Sequence, residues 1–394
     1  MRLLYLGQAP AQGTGSPVTL LRHLRRFAAD GWQIGLVPNW GDELAEARRH
    51  GWTAHRLPHR RWWWPPFNAE NELSRRLTTT LWAREVDRLI QPRPDAVLTY
   101  LAWHSDLFAE IASAYGRRTG VPVSCLVHDD AVDFATNAGR RAQLRRRQTR
   151  ILRGNHRNWF VSAAQAAAMA PTGAHADVLP PIPEGFAGPA PQWHSEFGAR
   201  PRVCFAGYLW PEQGRLLQRL APVLAAAGAR LVVLGRRTAE VEALLAADLA
   251  DHVPPFPGNH EALAYLSANV AGLVVSYAAT IGELPWSRTS MPSKLVEFSH
   301  LGLPIALVAP PGTAIADWAR QRGIGSCFAP ADHAGLSAWA AALRHRESWL
   351  HQSDTWRNLA ATEWSPAVIH SRLAHSLRSG PPAPAPIRLA PPSR

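Results

Sequence analysis

Short apolar runs alternate with amphipathic stretches from the first residue onward. Residues 3–6 form a run of strand length, and Val18, Leu21, Leu24 and Ala28 then recur at helical spacing. Residues 34–37, 96–100, 121–127 and 159–161 are further apolar runs bounded by polar or turn-forming positions. This alternation predicts parallel strand–helix–strand units. Residues 179–201 are rich in Pro, Gly and Ala without periodicity, which predicts a linker. A second series follows, with strands expected at 203–205, 231–234, 273–275 and 305–308 and helices at 215–227 and 239–250. The expected architecture is α/β, two doubly wound Rossmann-like domains facing a central cleft, because ligands of open α/β sheets bind outside the carboxyl ends of the strands.

The 394 residues suffice for two such domains. The boundaries expected are 1–180 for the first domain, 181–200 for the linker and 201–350 for the second. Residues 351–378 form a helical segment expected to pack back toward the first domain, and 379–394 a disordered tail dominated by Pro and Ala. No fixed-period repeat is present.

Three widely spaced cysteines, Cys125, Cys204 and Cys327, make neither a disulfide framework nor a metal knuckle, so a cytoplasmic setting is expected. The N-terminus has no basic segment ahead of a cleavable apolar stretch, and no signal peptide is read there. The longest uncharged run, 262–282, is interrupted by Ser267, Asn269, Gly272 and Ser276. A helix, a turn and a short strand explain it better than a membrane span.

The net charge is +12, almost all of it from Arg. Such a surplus suits an anionic surface, and a bias toward Arg with solvated faces explains it as well. Lys294 is the only lysine. Lysine's compact ammonium and arginine's planar fork are not interchangeable, which hints that a point charge is needed there.

Lys294 lies in Ser290-Met291-Pro292-Ser293-Lys294-Leu295-Val296-Glu297-Phe298. Pro292 suits a first helical turn, Gly302 is placed to stop the helix, and Pro304 forbids its continuation before the buried strand at 305–308. The N–H groups of Ser293, Lys294 and Leu295 would then be free at a helix start and, with the Lys294 charge, make an anion site. Glu297, one turn further in, could accept hydrogen bonds from both hydroxyls of a ribose whose phosphates rest there. An ordinary capped helix with an exposed Lys–Glu face fits the same pattern.

Pro292-Ser293-Lys294-Leu295-Val296-Glu297-Phe298 followed by Leu301-Gly302-Leu303-Pro304-Ile305 closely resembles the nucleotide-sugar motif of GT-B glycosyltransferases of the group 1/family 4 type. The flanking order agrees. Val203-Cys204-Phe205-Ala206-Gly207 looks like the Gly-containing loop that opens the donor domain, and residues 253–266, with Phe256 and Gly258, like the base-binding loop and the helix after it. The resemblance covers most of residues 200–330 and, more loosely, 1–180. It implies transfer of a sugar from a nucleoside-diphosphate donor to an acceptor hydroxyl, with retention, without a metal or other cofactor, and plausibly in cell-envelope or exopolysaccharide synthesis. Two departures stand out. Where many retaining members carry a first Glu, eight residues before the ribose Glu, this chain has Thr289. Where many carry an Arg and a Lys in the first donor-domain loop, it has Tyr208 and Gln213. Neutralising the diphosphate would fall on Lys294, with Arg215, Arg236 or Arg288 as helpers.

In the first half, Gly13-Thr14-Gly15-Ser16 lacks the third glycine of a dinucleotide fingerprint. By the resemblance Gly15 shapes the acceptor side, and a plain tight turn is an equally good reading. The strand at 121–127 ends in His128-Asp129-Asp130, at the edge where ligands bind. By the resemblance His128 contacts the donor sugar, with Asp129 and Asp130 orienting it or meeting the acceptor. His104 and Asp106 form a second polar pair on the same edge. His59-Arg60-Arg61-Trp62-Trp63-Trp64-Pro65-Pro66-Phe67 mixes charge with rings, a combination suited to peripheral contact at the inner face of a membrane and hence to a lipid-linked acceptor, although a glycan or small molecule fits too. No Asp-x-Asp pair or His/Cys cluster calls for a metal. A sugar-nucleotide epimerase on the same fold and a non-catalytic nucleotide-sugar-binding protein are the alternatives. Nucleic acid, resting on charge alone, is not expected as a partner.

Overall fold

The computed structural model describes residues 1–7, 9–11, 15–38, 44–55, 57, 72–102 and 106–379. The expectations for Gly13, Thr14, His104, the Trp-rich stretch through Arg60 and Phe67, and the tail beyond Ser379 lie outside the described residues. The chain divides into two compact units, Met1–Leu179 with His370–Arg394, and Pro180–Ile369.

In the first unit the order is β1 (Arg2–Gly7), α1 (Ser16–Ala29), β2 (Gln33–Pro38), α2 (Leu44–His50), β3 (Thr53–Ala54) and α3 (Glu72–Leu89). Then come β4 (Ala96–Leu101), α4 (Asp106–Thr119), β5 (Val123–Val127), α5 (Ala138–Arg153), β6 (Arg157–Phe160), α6 (Ala163–Met169) and β7 (Ala176–Val178). The strands form one sheet in the order β3-β2-β1-β4-β5-β6-β7, and every pairing is parallel. The central strands β4 and β5 are buried along their whole length. This is why they read as unbroken apolar runs rather than as alternation: helices cover both faces of a parallel sheet.

The second unit holds α7 (Ser195–Ala199), β8 (Arg202–Ala206), α8 (Pro211–Ala226), β9 (Arg230–Leu234), α9 (Ala239–Ala246), β10 (Ala250–Val253), α10 (Asn259–Asn269) and β11 (Gly272–Ser276). It continues with α11 (Ser293–Ser299), β12 (Ile305–Val308), α12 (Ala314–Gln321), β13 (Cys327–Phe328), α13 (His333–Ala342) and α14 (Arg346–Ala361), and ends within α15 (Pro366–Ser379). Its sheet order is β10-β9-β8-β11-β12-β13, again all parallel. Thr238, Thr313 and Asp332 cap α9, α12 and α13 by accepting the N–H three residues on. Trp349 and Trp356 of α14 are fully buried, and the Trp349 indole donates to Ala271 O at 2.7 Å, fastening α14 at the entry to β11.

The fold departs from the sequence expectation in four places. The helix expected over 239–250 stops at Ala246, and Ala250 opens β10. The helix after Pro292 ends at Ser299 rather than running to Leu301. The linker region contains the short helix α7. Strands β3, β7 and β13 are two or three residues long, and β10 includes Asp251 and His252. The short strands and β10 lie at sheet edges, where partial exposure removes the apolar signal.

Part of the arginine surplus is internal. Arg75 of α3 and Arg147 of α5 are each 1% exposed. The Arg75 guanidinium donates to Glu110 at 2.5 Å and lies 3.0 Å from Asp106. Arg150 reaches the other Glu110 oxygen at 2.6 Å and Glu72 at 3.1 Å, and Arg147 also pairs with Glu72. This network ties α3, α4 and α5 together. Removing one partner of a buried ion network leaves a charge unpaired. Glu110→Gln is expected to cost about 3 kcal/mol, read as a lower urea midpoint with an unchanged denaturant slope.

Candidate functional site

The carboxyl edge of the second sheet is built on two backbone approaches. Gly207, just after β8, has φ +102° and donates to Leu234 O at 2.8 Å. A Cβ on Gly235, just after β9, would lie 2.6 Å from Gly207 O, so only glycine fits there without movement. The aliphatic end of Lys294 occupies the space over Gly207: a Cβ at Gly207 would meet Lys294 Cε at 2.7 Å and Nζ at 2.8 Å. The structure thus brings Gly207 and Lys294 together from positions far apart in the chain.

The Lys294 ammonium donates to Tyr208 O at 3.0 Å and sits 4.7 Å from the centre of the Phe205 ring. No carboxylate pairs with it among the described residues. Burial without a counter-charge pushes its pKa down to about 8. A partly buried cation held by a carbonyl and a ring, and not neutralised, is electrostatically incomplete until an anion arrives.

Pro292 stands at the N-cap of α11, not inside its first turn, and no side chain caps the helix. The Leu295 N–H, expected to be free, donates to Pro292 O at 3.1 Å, which tightens the turn. The N–H groups of Ser293 and Lys294 make no hydrogen bond among the described residues. Glu297 is 7% exposed. One of its oxygens accepts from Asn259 Nδ2 at 3.1 Å and the other from the Glu184 N–H at 3.3 Å. Neither partner was legible in the sequence: Glu184 is 113 residues away and Asn259 is 38. Glu184 lines a pocket of about 440 Å³, with Phe186, His260, Leu263, His300 and Pro366 among others.

The residues standing where basic groups were looked for are placed otherwise. Gln213 is buried; its amide donates to Ser276 O at 2.5 Å and its oxygen accepts from Trp210 N–H at 3.2 Å. It pins the loop and offers nothing to a phosphate. Arg215 pairs with Glu212 at 3.4 Å and lies 4.0 Å from Glu283. Arg236 and Arg288 are exposed, Arg288 at the end of a 3-10 turn, Pro285–Arg288. Thr289 is buried at the close of that turn, its N–H on Trp286 O at 3.2 Å.

In the first unit, His128 follows β5, with its N–H on Leu101 O at 3.0 Å and its carbonyl accepting from Gln165 Nε2 at 3.1 Å. Its ring tilts against Tyr100 with centroids 5.5 Å apart. Nε2 is buried, and no group among the described residues meets it. Burial lowers the imidazole pKa, with Asp129 acting against the shift, so the ring is held neutral at physiological pH. Asp129 is half-buried. Asp130 is structural: it caps the turn after β5 through Val132 N–H at 3.0 Å and pairs with Arg145 at 2.7 Å. Gly15 stands at the N-cap of α1 with φ +80°, a conformation that favours glycine, and is exposed.

Solved structures with this fold include several that are distant in sequence. HepE of Anabaena, in complex with UDP and glucose, superposes with a TM-score of 0.62 at 12% identity, covering 96% of this chain and 100% of that one. A glycosyltransferase of Rickettsia africae gives a TM-score of 0.67 at 9% identity, covering 96% and 97%. The UDP-forming trehalose-phosphate synthase of Burkholderia vietnamiensis gives 0.60 at 14% identity, covering 96% and 99%. The fold is that of the GT-B glycosyltransferases. No protein-family model matches the chain, and no curated protein does. Two parallel Rossmann-like sheets of seven and six strands make this GT-B fold here.

The single lysine allows a direct check of the site. With side-chain-labelled lysine the protein gives one ammonium resonance, expected to titrate near pH 8. Gly207→Ala should displace the ammonium and move that titration toward the ordinary lysine value. It should also destabilise the fold by about 1–3 kcal/mol, through crowding and a strained φ.

Proposed function

We propose that the chain is a glycosyltransferase that takes a nucleoside-diphosphate sugar and transfers its glycosyl group to an acceptor hydroxyl. The observation that carries this reading is the Lys294 ammonium, held over Gly207 without a counter-charge and followed one turn later by the Glu297 carboxylate. The diphosphate lies against Lys294 and the N–H groups of Ser293 and Lys294, with exposed Arg288 and Arg236 within the same carboxyl-edge loops. Leu295 contributes packing, since its N–H is already engaged. Glu297 holds the ribose, and the pocket lined by Glu184 offers room for the nucleoside. HepE, of the same fold, was solved in complex with UDP-glucose, which supports this class of donor.

Catalysis is then mainly positioning plus stabilisation of the departing diphosphate. Because Lys294 and the backbone N–H groups supply positive charge at the leaving group, we take the reaction to be metal-independent. Retention of the anomeric configuration and a role in envelope or exopolysaccharide synthesis belong to the same proposal. His128, neutral and with a buried nitrogen that no group among the described residues meets, is assigned to the sugar; Asp129 and Gly15 are assigned to the acceptor side. A donor-binding protein without turnover is the second reading. It is favoured by Thr289, whose backbone closes a turn where a carboxylate would otherwise stand.

Thermal shifts with a panel of UDP-, GDP-, ADP- and dTDP-sugars test donor binding, because a ligand specific for the native state raises Tm. At least one donor should stabilise the protein, and silence across the panel rejects the reading. Glu297→Ala should weaken that donor by on the order of 100-fold, two charge-assisted hydrogen bonds being lost. An unliganded Tm near wild type shows that its fold is kept. Bound diphosphate raises the Lys294 pKa from about 8. The complex therefore holds more protons than the free protein above that pH, and affinity should fall as pH rises through 8 to 9 while protons are taken up on binding. Release of nucleoside diphosphate on adding an envelope extract separates a transferase from a passive binder.

The first unit also suits peripheral contact with an anionic membrane. Leu73, Leu77 and Leu81 lie four residues apart on α3 and are 70%, 46% and 48% exposed, with Arg76 and Arg84 exposed on the same helix. No helix among the described residues is long and apolar enough to cross a membrane. The protein should co-sediment with phosphatidylglycerol vesicles and much less with phosphatidylcholine ones. Binding should weaken in about 0.5 M salt and in a Leu77→Ser/Leu81→Ser variant. Equal binding by wild type and variant would reject α3 as the contact.

A further inference from the structure

Exposed large hydrophobic side chains are few in the second unit. Among the described residues they are Tyr208, Trp210 and Val368. Two of these three stand side by side at the carboxyl end of β8. Tyr208 is 61% and Trp210 40% exposed, and their rings meet nearly at right angles, 77°, with centroids 5.3 Å apart. Such an arrangement leaves ring surface in water on both residues.

The corner is anchored. Trp210 is followed by Trp286 at 6.2 Å, and Trp286 rests edge-on against Tyr277 at 5.4 Å and 89°. Tyr277 is buried, and its hydroxyl donates to Ser290 O at 2.8 Å, in the segment that leads to Lys294. Gln213 fixes the Trp210 backbone to the end of β11. Tyr208 contributes the carbonyl that holds the Lys294 ammonium. The Trp210 ring is thus backed by Trp286, the Tyr208 ring meets Trp210, and the Tyr208 carbonyl adjoins the Lys294 ammonium.

Tyr208 packs little of its surface, and Gln213 already secures the loop. An aromatic face carries negative charge density and attracts polarised C–H groups as well as excluding water. A hexopyranose offers such a C–H face, and in a nucleotide sugar it is one ester bond away from the outer phosphate. From the Lys294 ammonium the next group along a donor therefore falls within reach of Tyr208 and Trp210.

We infer that Tyr208 and Trp210 form a stacking subsite for the pyranose ring of the donor. The inference rests on the donor reading above and adds the residues that select the sugar. In this chain an aromatic corner stands beside the cation, so the sugar adds to the binding that the diphosphate supplies.

The test compares the donor that gives the largest stabilisation in the UDP-, GDP-, ADP- and dTDP-sugar panel with its own free nucleoside diphosphate. Calorimetry on wild type, Tyr208→Ala, Trp210→Ala and Trp210→Phe supplies the dissociation constants. Wild type should bind the nucleotide sugar about tenfold more tightly than the diphosphate, the gain expected from burying one ring face. Both alanine variants should lose most of that gain and bind the free diphosphate as wild type does, which also reports that they are folded. Trp210→Phe should keep it. If wild type shows no gain, or if the alanine variants retain it, the stacking subsite is wrong while the donor reading stands. If neither donor nor diphosphate binds wild type, the donor reading itself fails and the subsite with it.

Discussion

A cation without a counter-charge among the described residues sets the character of the second unit. Lys294 reaches over Gly207, spends one hydrogen bond on Tyr208 O and leans on the Phe205 ring. Everything around it serves to keep it there. Gly207 supplies the space, and Gly235 lets the next strand end close to Gly207. The cost is visible as a pKa pushed down to about 8, the signature of an ammonium partly withdrawn from water. A protein that only needed to fold would gain by placing a carboxylate nearby, or by exposing the side chain. The arrangement makes sense as readiness for an anion, because the desolvation cost is met before the ligand arrives.

Glu297 contributes a different kind of order. Its carboxylate already accepts from Asn259 at the start of α10 and from the backbone of Glu184, so two separate segments converge on it. Glu297 thereby ties α11 to the Glu184 segment that lines the neighbouring pocket.

The two sheets were legible because their central strands are buried on both faces and so read as continuous apolar runs. The helix–stop–strand sequence from Ser293 through Gly302 to Val308 was legible because proline and glycine punctuate it; Gly302 does adopt a positive φ, +64°. Strands at the margins were not: β10 has polar positions, and β13 is two residues long. The chemistry was half legible. Lys294 and Glu297 stand out in a short motif, while Asn259, Glu184, Trp210 and Trp286 reach the site only through the fold. Gln213 shows the converse. It stands where the resemblance puts a basic residue, and its side chain fastens the loop after β8 to the end of β11. No local pattern distinguishes a polar side chain that points outward from one that turns in to satisfy a carbonyl.

Charge composition has a similar limit. A surplus of +12 invites the picture of a uniformly basic surface. Yet Arg75 and Arg147 are buried, and with Arg150 they share Glu72, Glu110 and Asp106 in a network between three helices. Arginine suits that work because its planar fork serves two carboxylates at once and stays charged in any environment. Lysine suits the opposite task. A compact ammonium can be held by one carbonyl and one ring, keeps donors free for a ligand, and can adjust its protonation to what arrives. That the chain has so many of the first and one of the second follows from the chemistry each position demands, and it places the responsive charge of the second unit at Lys294.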